Sequence, residues 1–124
     1  MIEPRLEDAL LGCIMTDSSK LEIVKPWVTD DEFFYATLNR RIWKTMMKLH
    51  ERGHDIDVNT ICNSIERTST DNGLTYTITG YLDLVYSTSK VEDYAKLLHS
   101  SYLRRKLKNQ VQYIEQFTED DSIE

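Results

Sequence analysis

Glycine and proline are scarce in this chain, with four and two among 124 residues. So few turn formers leave little room for tight hairpins and imply long helices joined by short links. Cysteine is nearly absent as well. Cys13 and Cys62 each sit among apolar residues of a predicted helix, and no Cys-x-x-Cys occurs, so both are read as reduced, buried thiols. No apolar run has the length needed to cross a bilayer, and no signal peptide opens the sequence; the expected location is the cytoplasm, away from any membrane. Positive charge is in deficit, with 15 Lys and Arg against 21 Asp and Glu, a net charge of -6. A surface that is acidic on average does not suit a free-standing nucleic-acid binder, and no direct nucleic-acid binding is expected. The scattered glycines cannot build a phosphate-cradling G-x-x-x-x-G-K-[ST] loop, and no nucleophile–base arrangement stands out.

What is present is a helical pattern. The chain is 40% hydrophobic and 29% charged, as expected for one globular domain with one core. The stretch from Val28 to Gly53 reads as its organising element. Phe34, Leu38, Ile42, Met46 and Leu49 recur at helical spacing, and Trp43 and Met47 widen the stripe. Arg40, Arg41, Lys44, Lys48 and Glu51 lie on the opposite face. A Thr29–Glu32 capping box predicts a short helical turn at Asp30–Tyr35. After a break, the central helix runs from Leu38 to Arg52, and Gly53 stops it.

Before this stretch, Leu6, Ala9, Leu10, Cys13 and Ile14 predict a helix from Arg5 to Met15. Leu21, Ile23 and Val24 predict a short one that ends near Lys25, ahead of Pro26. After it, Asp57 caps a helix from Val58 to Arg67 with Ile61, Cys62 and Ile65 on its apolar face. Thr68–Gly73 is a polar turn. Leu74–Thr79 alternates and is rich in Thr and Tyr, so a short strand excursion competes with helix there, and helix resumes near Thr79. Ser89 and Glu92 form a second capping box, and nothing interrupts a helix from Lys90 to about Thr118.

The first half of that last helix carries a wide apolar stripe. Its second half carries a narrow one, Leu103, Leu107, Val111, Ile114 and Phe117. A narrow seam on a long helix suits pairing with another helix, and no partner follows in the chain. The expected fold is all-α, a bundle of about six helices ending in a long arm. The head spans 1–102, the arm 103–118, and 119–124 is an acidic, disordered tail. The expected core is Leu11, Phe34, Ile42, Trp43, Met46, Leu49, Ile61, Ile65, Leu82 and Tyr94.

Two constellations compete as sites. His50-Glu51-Arg52-Gly53-His54 matches H-E-x-x-H, in which two histidines one helical turn apart bind zinc and the Glu acts as base. The fit is poor because Gly53 falls between them, and no third ligand follows at a familiar spacing, although Glu66 or His99 could be nominated. A zinc hydrolase is the distant alternative; otherwise these are solvated helix-end histidines, and no metal or cofactor is expected. The basic run Arg104-Arg105-Lys106-Leu107-Lys108 is either a solvated face or a partner contact, with Arg104, Arg105 and Lys108 the candidates.

Several short motifs occur in order. They are Glu7 with Leu11-Gly12; Asp31-Glu32-Phe33-Phe34-Tyr35; Arg40 with Ile42-Trp43, Leu49 and Glu51-Arg52-Gly53; Ile56-Asp57 with Thr60; Gly80-Tyr81-Leu82; and Tyr94-Ala95 with Arg104 or Arg105. Together, over Glu7 to Leu107, they resemble the N-terminal domain of DnaB-type hexameric replicative DNA helicases. Asn39 stands where that family usually has His, and one of its paired glycines is missing, which marks a divergent member such as one from a phage or plasmid.

The resemblance implies a helical head followed by a helical hairpin, of which Leu103–Phe117 is the first arm. It implies dimers assembled as a trimer of dimers, a collar that docks the primase C-terminal domain and, in some systems, a helicase loader. ATP and Mg are expected only for a motor domain that this sequence lacks. The alternative is a stand-alone adaptor, loader or inhibitor that binds a helicase ring.

Overall fold

The computed structural model describes residues 4–66 and 73–122. Six α-helices follow one another: α1 (Pro4–Thr16), α2 (Leu21–Val24), α3 (Thr37–Glu51), α4 (Val58–Glu66), α5 (Gly73–Gly80) and α6 (Val91–Ser122). Short 3₁₀ turns at Ser18–Lys20, Asp31–Phe33, Tyr81–Leu84 and Thr88–Lys90 connect them, and no strand occurs among the described residues. The turn at Asp31–Phe33, the break and the helix from Thr37 follow the expected order. The cap differs: Asp30, not Thr29, accepts the backbone N–H of Glu32.

The centre of the head is α1 rather than α3. Leu10, Leu11, Cys13 and Ile14 are fully buried, and Glu7, Ala9 and Met15 nearly so. A helix apolar on every side is one that others surround. The run Leu10-Leu11-Gly12-Cys13-Ile14-Met15 carries that signal, whereas α3 keeps a polar face and lies outside. From α3 come Ile42, Trp43 and Met46, from the link before it Phe33 and Phe34, and from α4 Ile61, Cys62 and Ile65. Of the expected core residues, Leu49, Leu82 and Tyr94 are only half-buried, packed against this cluster from its edge. Burial raises the pKa of the Cys13 thiol, which keeps it protonated and unreactive.

Gly12 is where α1 is approached by backbone. A Cβ there would stand 2.6 Å from the carbonyl oxygen of Tyr81 and 2.9 Å from Val85 Cγ2. Gly12→Ala is therefore expected to destabilise the fold by about 2 kcal/mol in urea unfolding, although alanine is the better helix former by about 1 kcal/mol. A stabilised variant would contradict this close approach.

Residues 73–80 form helix rather than a strand. Thr77 and Thr79 turn their hydroxyls back to the carbonyls of Gly73 and Thr75, at 3.1 and 2.7 Å, so their β-branched side chains are accommodated on a helix. The predicted turn at 68–72 lies outside the described residues. Ahead of α6, Ser87 caps the 3₁₀ turn Thr88–Lys90 by accepting the N–H of Ser89, in place of the expected Ser89–Glu92 box. The helix then continues through residues 119–122, where the acidic composition suggested a disordered tail. Acidic residues oppose the dipole at a C-terminus, which made an earlier end plausible, but no Gly or Pro interrupts the run. Residues 123 and 124 lie outside the described residues. At 1.5 Å per residue, α6 is about 48 Å long, and only its first part touches the head.

Candidate protein–protein interface

Val91, Ala95 and Leu98 of α6 are buried against α1 and its neighbours, and Tyr94 and Tyr102 are half-buried. The stack continues through Phe33, whose ring lies 4.1 Å from that of Tyr102 and 5.6 Å from that of His99. His99 Nδ1 is 2.8 Å from the carbonyl oxygen of Trp27. Arg105 closes the contact by donating from Nη2 to the carbonyl oxygen of Phe33 at 2.9 Å.

Beyond that point the apolar positions face outward. Leu103, Leu107, Val111, Ile114 and Phe117 are between 44% and 62% exposed. At 100° per residue they share one face of α6, roughly opposite Leu98 and Arg105. The head cannot reach them. Five large apolar side chains in one exposed row mark a surface that association would cover.

The basic cluster does not act as one group. Arg104, Arg105 and Lys108 border a cleft of about 780 Å³ between α6 and α1, with Glu7, Asp8, Tyr35, Leu38 and Tyr81 on its other walls. Arg105 also faces a second cleft of about 400 Å³, with Arg40, Tyr35, Tyr102 and Lys106. Its guanidinium lies over the rings of Tyr35 and Tyr102, at 5.5 and 5.8 Å. Arg40 is anchored by donating from Nε to the carbonyl oxygen of Phe34 at 2.7 Å. Arg105 and Arg40 thus both hold the link before α3, a role that a charge run does not reveal.

That link is fixed from the other side by Glu7. Helix α3 begins without a side-chain cap of its own at Ala36. The buried carboxylate of Glu7 accepts the backbone N–H groups of Tyr35 at 2.6 Å and Ala36 at 3.3 Å, and Asn39 Nδ2 at 3.0 Å. Asn39 Nδ2 also donates to Asp8 Oδ1 at 2.9 Å, and the Tyr81 hydroxyl donates to Asn39 Oδ1 at 2.6 Å. Glu7, Asn39 and Tyr81 therefore meet in one polar node, although they come from three separate motifs. Burial, with the Asp8 and Glu7 carboxylates close by, raises the Tyr81 phenol pKa, so it stays a donor.

Burial also raises the Asp8 carboxyl pKa, against the lowering effect of the bond it accepts from Asn39 and of the nearby Tyr81 hydroxyl. A raised value means the folded chain binds this proton at a pH where the unfolded chain has released it. Asp8 thus disfavours the fold at neutral pH, and that penalty fades as pH falls through its folded pKa. Asp8→Asn, which retains an acceptor for Asn39, is expected to keep or raise the melting temperature at pH 7 and to lose any advantage in acid. A clear loss of stability at pH 7 would contradict this.

The histidine pair is not assembled as a zinc signature requires. Helix α3 ends at Glu51, and Gly53 takes the left-handed conformation at φ 70°. The N–H of Gly53 bonds the His50 carbonyl and that of His54 the Leu49 carbonyl, which closes the helix between the two histidines. His50 Nε2 lies instead 3.3 Å from Glu22 Oε1. Among the described residues, no group of three His, Cys, Asp or Glu side chains could hold a metal ion. No helix among the described residues is long and apolar enough to cross a membrane.

The described residues thus form an all-helical head with a long arm whose outer half carries an exposed apolar row. The family model of the DnaB-like helicase N-terminal domain matches residues 2–100, and the chain belongs to that family. Relatives include the replicative DNA helicase DnaC of Bacillus subtilis strain 168, 27% identical over 123 residues, and the replicative DNA helicase DnaB of Geobacillus stearothermophilus, 27% identical over 127. Each alignment covers 95% of this chain but 27% of the relative, so the chain spans about a quarter of their length. The fold matches the N-terminal domain of DnaB helicase from Mycobacterium tuberculosis with a TM-score of 0.88 at 16% identity, covering 97% of this chain and 86% of that one. It matches the corresponding domain from Helicobacter pylori, a structure described with its interactions with primase, with a TM-score of 0.79 at 20% identity, covering 94% and 91%.

Proposed function

We propose that this domain is the assembly and primase-docking collar of a hexameric replicative DNA helicase. The observation that carries the reading is the exposed apolar row from Leu103 to Phe117, which the chain's own head leaves uncovered. In this reading the row is the first arm of a helical hairpin and joins two copies into a dimer, three of which make the collar. The chain contributes no catalytic group. In this reading ATP and Mg would be used by a separate motor domain of the helicase. The expected location is the cytoplasm, where replication proceeds.

Primase is the expected partner, because the Helicobacter pylori relative of the same fold is described with primase interactions. Arg104, Lys108 and Tyr35, at the rim of the cleft between α1 and α6, are the proposed contacts; a helicase loader is a further candidate for the same rim. Isothermal titration of the chain with the C-terminal domain of the primase from the same source tests this. Saturable binding that weakens on Arg104→Ala and Lys108→Ala is expected, and no heat at any concentration would contradict the docking role. An adaptor or inhibitor that acts alone on a helicase ring is the competing reading. Immunoblotting of the source separates the two: a band several times heavier than 14.6 kDa supports the collar, and one at 14.6 kDa supports the adaptor.

A further inference from the structure

The smaller of the two clefts beside Arg105 gathers cations from two helices. Arg40 of α3 and Arg105 and Lys106 of α6 line it, alongside Tyr35, Tyr102 and Asn109. The Lys106 ammonium and the Arg105 guanidinium stand 5.7 and 5.8 Å from the centre of the same Tyr102 ring, so two like charges are held at one residue. None of the three cations makes an ion pair among the described residues, and Glu32, which also borders the cleft, is paired with none of them. Carboxylates are not scarce in a chain with 21 acidic residues against 15 basic ones. Arg105 Nη2 is engaged by the Phe33 carbonyl, but its Nε is buried and has no hydrogen-bond partner among the described residues. A buried N–H without an acceptor is costly and calls for an explanation. Three unpaired cations around one recess repel one another and make it attractive to an anion.

We propose that this cleft binds a diphosphate group, either as free pyrophosphate or as the phosphate part of a nucleotide. The site is built from side chains and needs no glycine-rich loop. A guanidinium fork matches two oxygens of one phosphate, and an ammonium adds a point charge on the same group. Two guanidinium groups and one ammonium therefore suit an anion with many oxygens and more than one negative charge. A single carboxylate would satisfy one fork and leave two cations opposed. The cleft holds about 400 Å³, well beyond a lone oxoanion, which leaves room for a second phosphate and for what it is attached to. Arg40 and Arg105 already hold the link before α3 through the Phe34 and Phe33 carbonyls. An anion shared between them ties the base of the arm more firmly to the head. The site is distinct from Arg104 and Lys108, which border the larger cleft, and it does not depend on the assembly reading.

Isothermal titration of the chain with pyrophosphate in the presence of EDTA tests the site, with ADP and citrate as parallel arms. Saturable one-to-one binding of pyrophosphate with a dissociation constant below about 1 mM is expected. ADP that binds more tightly than pyrophosphate assigns the group to a nucleotide, and ADP that binds more weakly assigns it to the free anion; both outcomes support the site. Citrate, a polycarboxylate, should bind at least about tenfold more weakly than pyrophosphate. Lys106→Gln removes an exposed side chain and should weaken pyrophosphate by about tenfold. Lys48→Gln removes the same charge from an exposed position on α3 that does not line the cleft, and should leave binding unchanged. In the parent chain the NMR signal of the Arg105 Nε–H should shift as pyrophosphate saturates. No binding up to about 10 mM overturns the inference, as does citrate binding equally well. Equal weakening by the two lysine substitutions means diffuse charge and no site. An Arg105 Nε–H signal that stays in place while pyrophosphate binds puts the anion elsewhere and overturns it too.

Discussion

Glu7→Ala is expected to lower the stability of the domain by about 3 kcal/mol, and its melting temperature by roughly 10 °C. The carboxylate is 2% exposed and accepts three donors, two of them backbone N–H groups at the uncapped start of α3. Alanine removes the acceptor of both backbone N–H groups, leaves Asn39 Nδ2 with Asp8 alone, and opens a space beneath the link that Arg40 and Arg105 hold from outside. Glu7→Gln retains one acceptor and should lose about 1 kcal/mol. Urea unfolding checks both. A Glu7→Ala variant within 0.5 kcal/mol of the parent, a roughly neutral effect by the usual standard, would show that Glu7 does not cap α3.

The second large effect concerns association and not folding. Leu107→Glu combined with Val111→Glu places two carboxylates in the middle of the apolar row on each copy. Both positions are exposed in the single chain, at 62% and 44%, so circular dichroism and melting temperature should hardly change. In a dimer the same side chains would be buried in the paired surface, and burying unpaired charge is costly. The dimer dissociation constant should rise by at least about a hundredfold, near 3 kcal/mol. Loss of helix content would mean that these side chains support the fold of the head. An unchanged dissociation constant would mean that the pairing surface lies elsewhere.

Much of this was legible from spacing alone. The row on α6, the break before α3 and the stop at Gly53 each depend on residues close in sequence, where helical periodicity and capping rules apply directly. The centre of the bundle was harder to see. The breadth of the α3 stripe drew attention, while the all-round apolar character of Leu10–Met15 was the better sign of burial. The polar node was hidden for a different reason. Glu7, Asn39 and Tyr81 are far apart in the chain, and only packing brings them together. Family likeness picked out Glu7 and Tyr81 as motif members and treated Asn39 as a departure, although Asn39 bridges Glu7, Asp8 and Tyr81. Likewise, a run of positive charge gives no hint that Arg105 folds back onto the Phe33 carbonyl while Arg104 and Lys108 stay free at the cleft.

Sedimentation equilibrium of the unmodified chain, across a wide range of concentration at low salt, reads self-association most directly. An apparent mass that rises from 14.6 kDa toward twice that value as concentration increases is expected if the row from Leu103 to Phe117 pairs with its copy. A mass fixed at 14.6 kDa at every concentration would contradict it, and would leave that row an exposed face without an assembly role.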